Sequence, residues 1–182
     1  IARFGADYAR LSVWDGYFII EKICFPTSKL TDIQTWINAK QKKYRIPNHR
    51  CIVDEDGVGG GVVDFCDING FVNNSTPMQG ENYQNLQTQC GYKLAEHINA
   101  NEIGIDADIV SQVEREQIIR ELEQLQTWKA DSDGKLKLKP KEEIKVEIGC
   151  SPDWRDMLLM RCWFDYNEVD IPDNIERILG LT

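Results

Sequence analysis

Along this chain apolar residues alternate with a period of two in some stretches and recur every three or four positions in others. The two periods mark strands and helices respectively. Tyr8 to Trp14 mixes small and β-prone residues, Asp15-Gly16 follows, and Tyr17 to Phe25 is β-prone again. Asp-Gly between two such runs predicts a β-hairpin. Leu30, Ile33, Trp36, Ile37 and Tyr44 have helical spacing, with Ser28 as the candidate cap and Pro47-Asn48 as the stop. Cys51-Ile52-Val53 is a short apolar run ending in acid, which reads as a buried strand. Gly57, Gly59, Gly60 and Gly61 form a turn, Val62 to Ile68 a short helix, and Gly70-Phe71-Val72 another strand. That order is a βαβ unit, whose ligand crevice belongs at the carboxyl ends of its strands.

In the second half, Tyr83, Leu86, Cys90, Leu94 and Ile98 predict a helix from about Asn82 to Ala100. Ile109, Val113, Ile118, Leu122 and Leu125 predict another from about Asp108 to Trp128, with a Glu/Arg-rich solvated face. After a turn at Asp131 to Gly134, Lys135 to Lys139 alternates Lys and Leu, which reads as half of a hairpin with its lysines on one side. Pro140 and Gly149 bracket a short helix. Ser151-Pro152-Asp153 opens the last strong helix, with Ser as cap and Asp near the positive dipole end, carrying Met157 to Phe164. The tail from Val169 to Thr182 is short and amphipathic.

The 182 residues are 42% apolar, enough for one sizeable core. No apolar run approaches the ~20 residues of a membrane span. Arg3, Asp7 and Arg10 interrupt the N-terminal stretch, so no signal peptide is expected there. Six cysteines are scattered without any CxxC, and there are only two histidines. This pattern predicts free thiols, a reducing cytoplasm and no structural zinc site. His49 and His97 read as ordinary surface or helix residues. A net charge of −9 excludes a whole-surface basic footprint for nucleic acid, while leaving room for a local basic patch.

Three acidic features carry candidate chemistry: Asp7 in Arg3-Phe4-Gly5-Ala6-Asp7, Asp54 at a strand end before the Gly-rich turn, and the pair Asp153 and Asp156 at a helix start. A carboxylate at the end of a buried strand is costly unless paired or metal-bound, and several converging carboxylates repel one another without a cation. Their oxygens are the hard ligands that Mg²⁺ and Mn²⁺ prefer. Plainer readings stand beside this one. Asp54, Glu55 and Asp56 also suit a polar turn, Asp153 a helix-start charge, and Lys135 to Lys145 a solvated edge. The glycine turn lacks the Lys-Ser/Thr ending of a Walker motif and the spacing of a dinucleotide fingerprint.

Four stretches, in order, resemble the nuclease domain of tailed-phage (or prophage) terminase large subunits. They are Ala2-Arg3-Phe4-Gly5-x-Asp7 with the following Trp14-Asp15-Gly16; Ile52-Val53-Asp54-x-x-Gly57-x-Gly59-x-Gly61-Val62-Val63-Asp64; Tyr83-x-Asn85-Leu86-x-Thr88-Gln89-Cys90-Gly91-Tyr92-Lys93-Leu94; and Ser151-Pro152-Asp153-x-x-Asp156-x-Leu158-x-Met160-Arg161. The resemblance spans Ala2 to about Phe164. It implies an α/β fold: a ribonuclease H-like mixed central sheet flanked by helices, with an added lysine-rich β-hairpin. The nuclease domain would occupy 1–166, leaving 167–182 as a tail.

The resemblance also implies a function. Asp54 and Asp156 would be catalytic acids, and Asp54, Asp156, Asp153 and Asp7 would surround two Mg²⁺ or Mn²⁺ ions. Lys135, Lys137 and Lys139 would contact the DNA backbone. The implied activity is endonucleolytic cutting of concatemeric viral DNA in the host cytoplasm. The implied partners are double-stranded DNA, the terminase ATPase domain, the small terminase subunit and the portal protein. The family's first catalytic Asp sits immediately before Ile1, so the sequence as given is expected to lack one ligand and to be a poor nuclease. Other ribonuclease H-like enzymes, such as a resolvase or a transposase core, and a non-catalytic DNA-binding or assembly module are the competing readings.

Overall fold

The computed structural model describes residues 9–26, 29–56, 59–129 and 134–167. Asp7, the Ser28 cap, Gly57, the turn at Asp131 to Asp133 and the tail from Glu168 onward lie outside the described residues.

The Asp15-Gly16 hairpin forms as expected. Strand β1 (Ala9–Asp15) pairs antiparallel with β2 (Phe18–Phe25), and Gly16 turns the corner at φ +57°, where a side chain would be strained. β2 also pairs in parallel with β5 (Gly104–Ile105). The βαβ unit is present too. Strand β3 (Ile52–Asp54) runs parallel to β4 (Asn69–Phe71), and helix α2 (Gly60–Cys66) crosses between them. Among the described residues, the β1-β2-β5 and β3-β4 sheets share no ladder.

Alternate residues of these strands feed two cores, because successive side chains point to opposite faces. Val53 joins Ile33 and Ile37 of helix α1 (Leu30–Tyr44) and Val62 of α2. Ile52 packs instead toward Leu86, Cys90 and Leu94 of helix α3 (Leu86–Asn99) and Leu158 and Leu159 of helix α6 (Asp153–Arg161). Helices therefore cover both faces of the β layer, as the mixed α/β expectation requires. None of the described helices is long and apolar enough to cross a membrane.

Several helix ends differ from the expectation. Helix α1 begins after Lys29, whose backbone N–H donates to the Asp32 carboxylate at 3.1 Å. Helix α3 starts at Leu86 because Asn85 caps it, accepting the Thr88 N–H at 2.9 Å. The long helix expected over Asp108 to Trp128 is a short turn at Ala107–Ile109 followed by α4 (Gln112–Leu122). Ser111 and Glu114 form a reciprocal capping box that fixes the start of α4. Helix α5 (Lys141–Ile148) is bracketed by Pro140 and Gly149 as predicted, and the short α7 (Trp163–Tyr166) follows α6.

The lysine-rich stretch is not a regular hairpin strand. Leu138 makes an isolated antiparallel bridge with Thr127, and Leu136 a parallel one with Tyr83. The segment is pressed onto α3 at Gly91, where a Cβ would stand 2.2 Å from Leu138 Cδ1. Gly91 is thus the residue that admits this close approach.

Candidate functional site

The site forms where β3 ends and α6 begins. Asp54 is the last residue of β3, and Asp153 and Asp156 occupy the first turn of α6. All three line one cavity of about 620 Å³, together with residues of β1, α1 and Lys141. Two segments roughly a hundred positions apart therefore meet, as the resemblance implied. Helix α6 packs on β1, β3, α3 and α4, which sets the position of its N-terminus.

Asp54 is held by its neighbours. Its Oδ1 accepts the Asp56 backbone N–H and the Asn73 side-chain amide, both at 3.2 Å. Asn73 also donates to Asp56 Oδ2 at 2.7 Å from its side chain and 3.1 Å from its backbone. Among the described residues, no donor reaches Asp54 Oδ2. Burial pushes the Asp54 carboxyl above its ordinary value. The Asp56 and Asp156 carboxylates push the same way, against the Asp56 N–H, which favours the charged form. A half-buried acid repelled by other acids is the electrostatic setting that a cation relieves.

Asp156 is held differently. Arg155 Nη2 and Nε donate to its Oδ1 at 2.7 and 3.1 Å, and Lys141 Nζ donates to its Oδ2 at 2.7 Å. Its side chain remains 23% exposed and faces the cavity, so these ion pairs do not seal it off. Burial pulls the Lys141 ammonium toward neutrality, but the Asp156 and Asp153 carboxylates outweigh this and raise its pKa.

The start of α6 is fixed from outside the helix. Ser151, the expected cap, has a buried hydroxyl with no hydrogen-bond partner among the described residues, and Pro152 occupies the cap position. Glu121 of α4 supplies the acceptor instead. Its Oε2 takes the Trp154 N–H at 2.7 Å and the Arg155 N–H at 3.1 Å, and Gln117 donates to Oε1 at 2.9 Å. Glu121 is 0% exposed, and burial raises its pKa against these hydrogen bonds. Asp156 is thus positioned by a carboxylate on a neighbouring helix.

Sequence reasoning missed Lys141, Asn73, Arg155 and Glu121. Only Lys141 carried a signal, as part of the basic run from Lys135 to Lys145. The lysines that were singled out divide. Lys139 is 7% exposed, and its ammonium is bound by Glu147 and by Gln124 Oε1 at 2.9 Å. It is therefore turned inward, which corrects the expectation that all three lysines share one solvent face. Lys135 is exposed and Lys137 half-buried.

His97 also differs from expectation. It is mostly buried at the end of α3, between Glu102 and Asp165. All six cysteines are free thiols as predicted, with Cys66, Cys90 and Cys162 buried.

No protein-family model matches the chain, and no curated protein matches it. Solved structures do. The nuclease domain of the large terminase subunit gp2 of bacterial virus Sf6 matches with a TM-score of 0.72 at 19% identity, over 88% of this chain and 84% of that one. A point variant of that domain with manganese and beta-thujaplicinol gives the same TM-score and identity. A variant with calcium gives 0.71 at 18% identity, again over 88% and 84%. Such a likeness is one of fold: this chain has the ribonuclease H-like fold of a phage terminase nuclease domain.

Proposed function

We propose that this chain is the metal-dependent endonuclease domain of a phage DNA-packaging terminase, cutting concatemeric viral DNA by two-metal phosphodiester hydrolysis. The observation that carries the reading is the convergence of Asp54, Asp153 and Asp156 on one cavity. The similar Sf6 domain, studied with manganese and with calcium, supports it.

The donor set fits hard divalent ions because it is made of carboxylate oxygens, and burial beside other carboxylates raises the Asp54 pKa, a penalty on its charge that a bound cation relieves. Asp54, Asp153 and Asp156 would hold Mg²⁺ or Mn²⁺, with Asp7 as a further ligand by the resemblance. Bound ions of this kind supply Lewis-acid charge and lower the pKa of water. The chain's own residues do the rest. Asn73 and the Asp56 N–H keep Asp54 aimed at the cavity. Arg155 and Glu121 fix Asp156. Lys141 offers a positive charge to a phosphate oxygen at the same place.

Lys135 and Lys137 would track the backbone of double-stranded DNA. In the virus-infected host cytoplasm the domain would work beside the terminase ATPase domain, the small subunit and the portal protein.

One observation favours a non-catalytic DNA-binding module instead: both Asp156 oxygens are already engaged by cations. A plasmid-nicking assay with Mn²⁺ decides between the two. Asp54→Ala and Asp156→Ala should each reduce cutting to background while the circular dichroism spectrum stays unchanged. Parental cutting by both variants would remove the site assignment, and duplex binding with no melting-temperature shift from Mn²⁺ in the parent would favour the module.

A further inference from the structure

At the opposite end of α6 from Asp153 and Asp156, three side chains from separate elements converge. They are His97 near the end of α3, Cys162 just after α6, and Asp165 in α7. One ligand atom from each lies within 4.8 Å of the other two. His97 Nε2 stands 2.9 Å from Asp165 Oδ2. The other ring nitrogen, Nδ1, lies 2.5 Å from Glu102 Oε2.

The surroundings are built rather than incidental. Tyr17 at the hairpin corner donates to Asp165 Oδ1 at 2.7 Å, and Arg161 donates to the same oxygen at 3.0 Å. Both contacts fall on Oδ1 and leave Oδ2 to the histidine side. The Tyr17 ring lies tilted against the His97 ring, 4.3 Å between centroids, and the Arg161 guanidinium lies over the Tyr17 ring, 4.3 Å from its centroid. Cys162 is fully buried, while His97 and Asp165 keep 11% and 12% of their side chains exposed, so the cluster opens to solvent on its polar side.

We propose that His97 Nε2, Cys162 Sγ and Asp165 Oδ2 form a binding site for a borderline-soft transition-metal ion such as Zn²⁺, separate from the nuclease centre. One nitrogen, one sulfur and one carboxylate oxygen are the donor types Zn²⁺ takes at about 2.0–2.3 Å, with water in a fourth position. Closing the present spacing onto an ion needs side-chain adjustment on the order of an ångström, which rotation about the side-chain torsions of Cys162 and Asp165 supplies. Glu102 on Nδ1 is the partner that metal-ligating histidines typically have, since it fixes the ring and raises the basicity of Nε2. Binding releases two protons to bulk water, the Cys162 thiol proton and the one shared between His97 Nε2 and Asp165 Oδ2, and leaves Nδ1–H donating to Glu102. Asp54, Asp153 and Asp156 offer oxygen donors, which suit hard ions, so the two sites sort metals by chemistry.

Co²⁺ titration of the chelator-stripped protein tests this, because only thiolate ligation produces sulfur-to-cobalt charge-transfer absorption. The band should saturate near one equivalent in the parent and persist in the Asp54→Asn/Asp156→Asn double variant. Cys162→Ser should abolish it. Glu102→Gln, at a half-exposed surface position that leaves the fold alone, should weaken Co²⁺ binding about 10- to 100-fold. Zn²⁺ should raise the melting temperature of the parent and of the double variant. No charge-transfer band in the parent, a band that survives in a folded Cys162→Ser protein, or unchanged affinity in Glu102→Gln would each reduce the cluster to a hydrogen-bonded histidine. None of these readouts depends on DNA cutting.

Discussion

Lys141 Nζ lies 2.7 Å from Asp156 Oδ2, on the carboxylate whose other oxygen is held by Arg155. The lysine reaches it because α5 starts directly after Pro140, which places the first helical residue at the cavity lined by Asp153 and Asp156. In a pocket of acids, this ammonium does part of the neutralising work that a divalent ion would do.

Lys141 therefore competes with metal for Asp156. Removing a unit positive charge beside a ligand carboxylate would favour a divalent ion by on the order of 1.4 kcal/mol or more, a tenfold affinity change, even with strong solvent screening. Lys141→Ala should lower the Mn²⁺ concentration giving half-maximal thermal stabilisation by about tenfold or more. Cutting should fall in the same variant, since the phosphate loses a cation. Equal Mn²⁺ midpoints in parent and variant would mean the lysine swings clear of the metal before binding.

Asp54 predicts a pH signature. Its folded-state carboxyl binds a proton more tightly than an unfolded carboxyl does, because of burial and then the Asp56 and Asp156 charges. The folded chain therefore holds more protons between the unfolded value of about 3.9 and the raised folded value. Stability from this group is greatest below that window, declines as pH rises through it, and stays reduced above it. Asp54→Asn abolishes the dependence. Its melting temperature should gain on the parent's as pH rises from acid to neutral, then hold a constant lead. Mn²⁺ at neutral pH should shrink the lead by stabilising the parent alone. A lead that does not vary with pH would mean Asp54 is not strained by its neighbours.

Glu121 should matter more than any exposed acid on its helix. Glu121→Ala leaves the buried Trp154 and Arg155 N–H groups without an acceptor, which costs about 2 kcal/mol. It also loosens the helix turn that carries Asp156, so Mn²⁺ binding should weaken. Glu121→Gln keeps an acceptor oxygen and drops the buried charge, and should melt above the alanine variant. Identical urea midpoints for Glu121→Ala and the parent would show that another group caps α6.

These residues also mark the limit of what the sequence discloses. The hairpin at Asp15-Gly16, the βαβ unit and the acid at the end of β3 rest on local pattern, because an Asp-Gly pair and a short apolar run report their own geometry. The meeting of Asp54 with Asp156 was legible only through a resemblance across several segments. Glu121 was not legible. It looks like one more charge on a solvated helix face, and only the packing of α4 against α6 makes it a cap. His97 failed for the same reason, since its partners Cys162 and Asp165 lie far along the chain. Gln89 is a similar case: it is buried and fastens the Met78 backbone and Glu81, a structural duty that spacing cannot reveal.

The lysine-rich segment separates two kinds of lysine by experiment. Lys139 is an internal residue, so Lys139→Ala leaves Glu147 and Gln124 without their shared donor and removes a buried stem. It should lower stability and leave the salt dependence of DNA binding alone. Lys135 and Lys137 flank Leu136 on the strip that Gly91 anchors through Leu138. If both meet phosphates, the Lys135→Ala/Lys137→Ala pair should weaken duplex binding whatever the sequence. The slope of log affinity against log salt should then flatten by about 1.8, since each lost phosphate contact removes about 0.9. Fluorescence anisotropy with a labelled duplex at several salt concentrations gives the slope, and urea unfolding gives the stability. A slope that changes with Lys139 instead would mean the segment refolds on DNA and turns that ammonium outward.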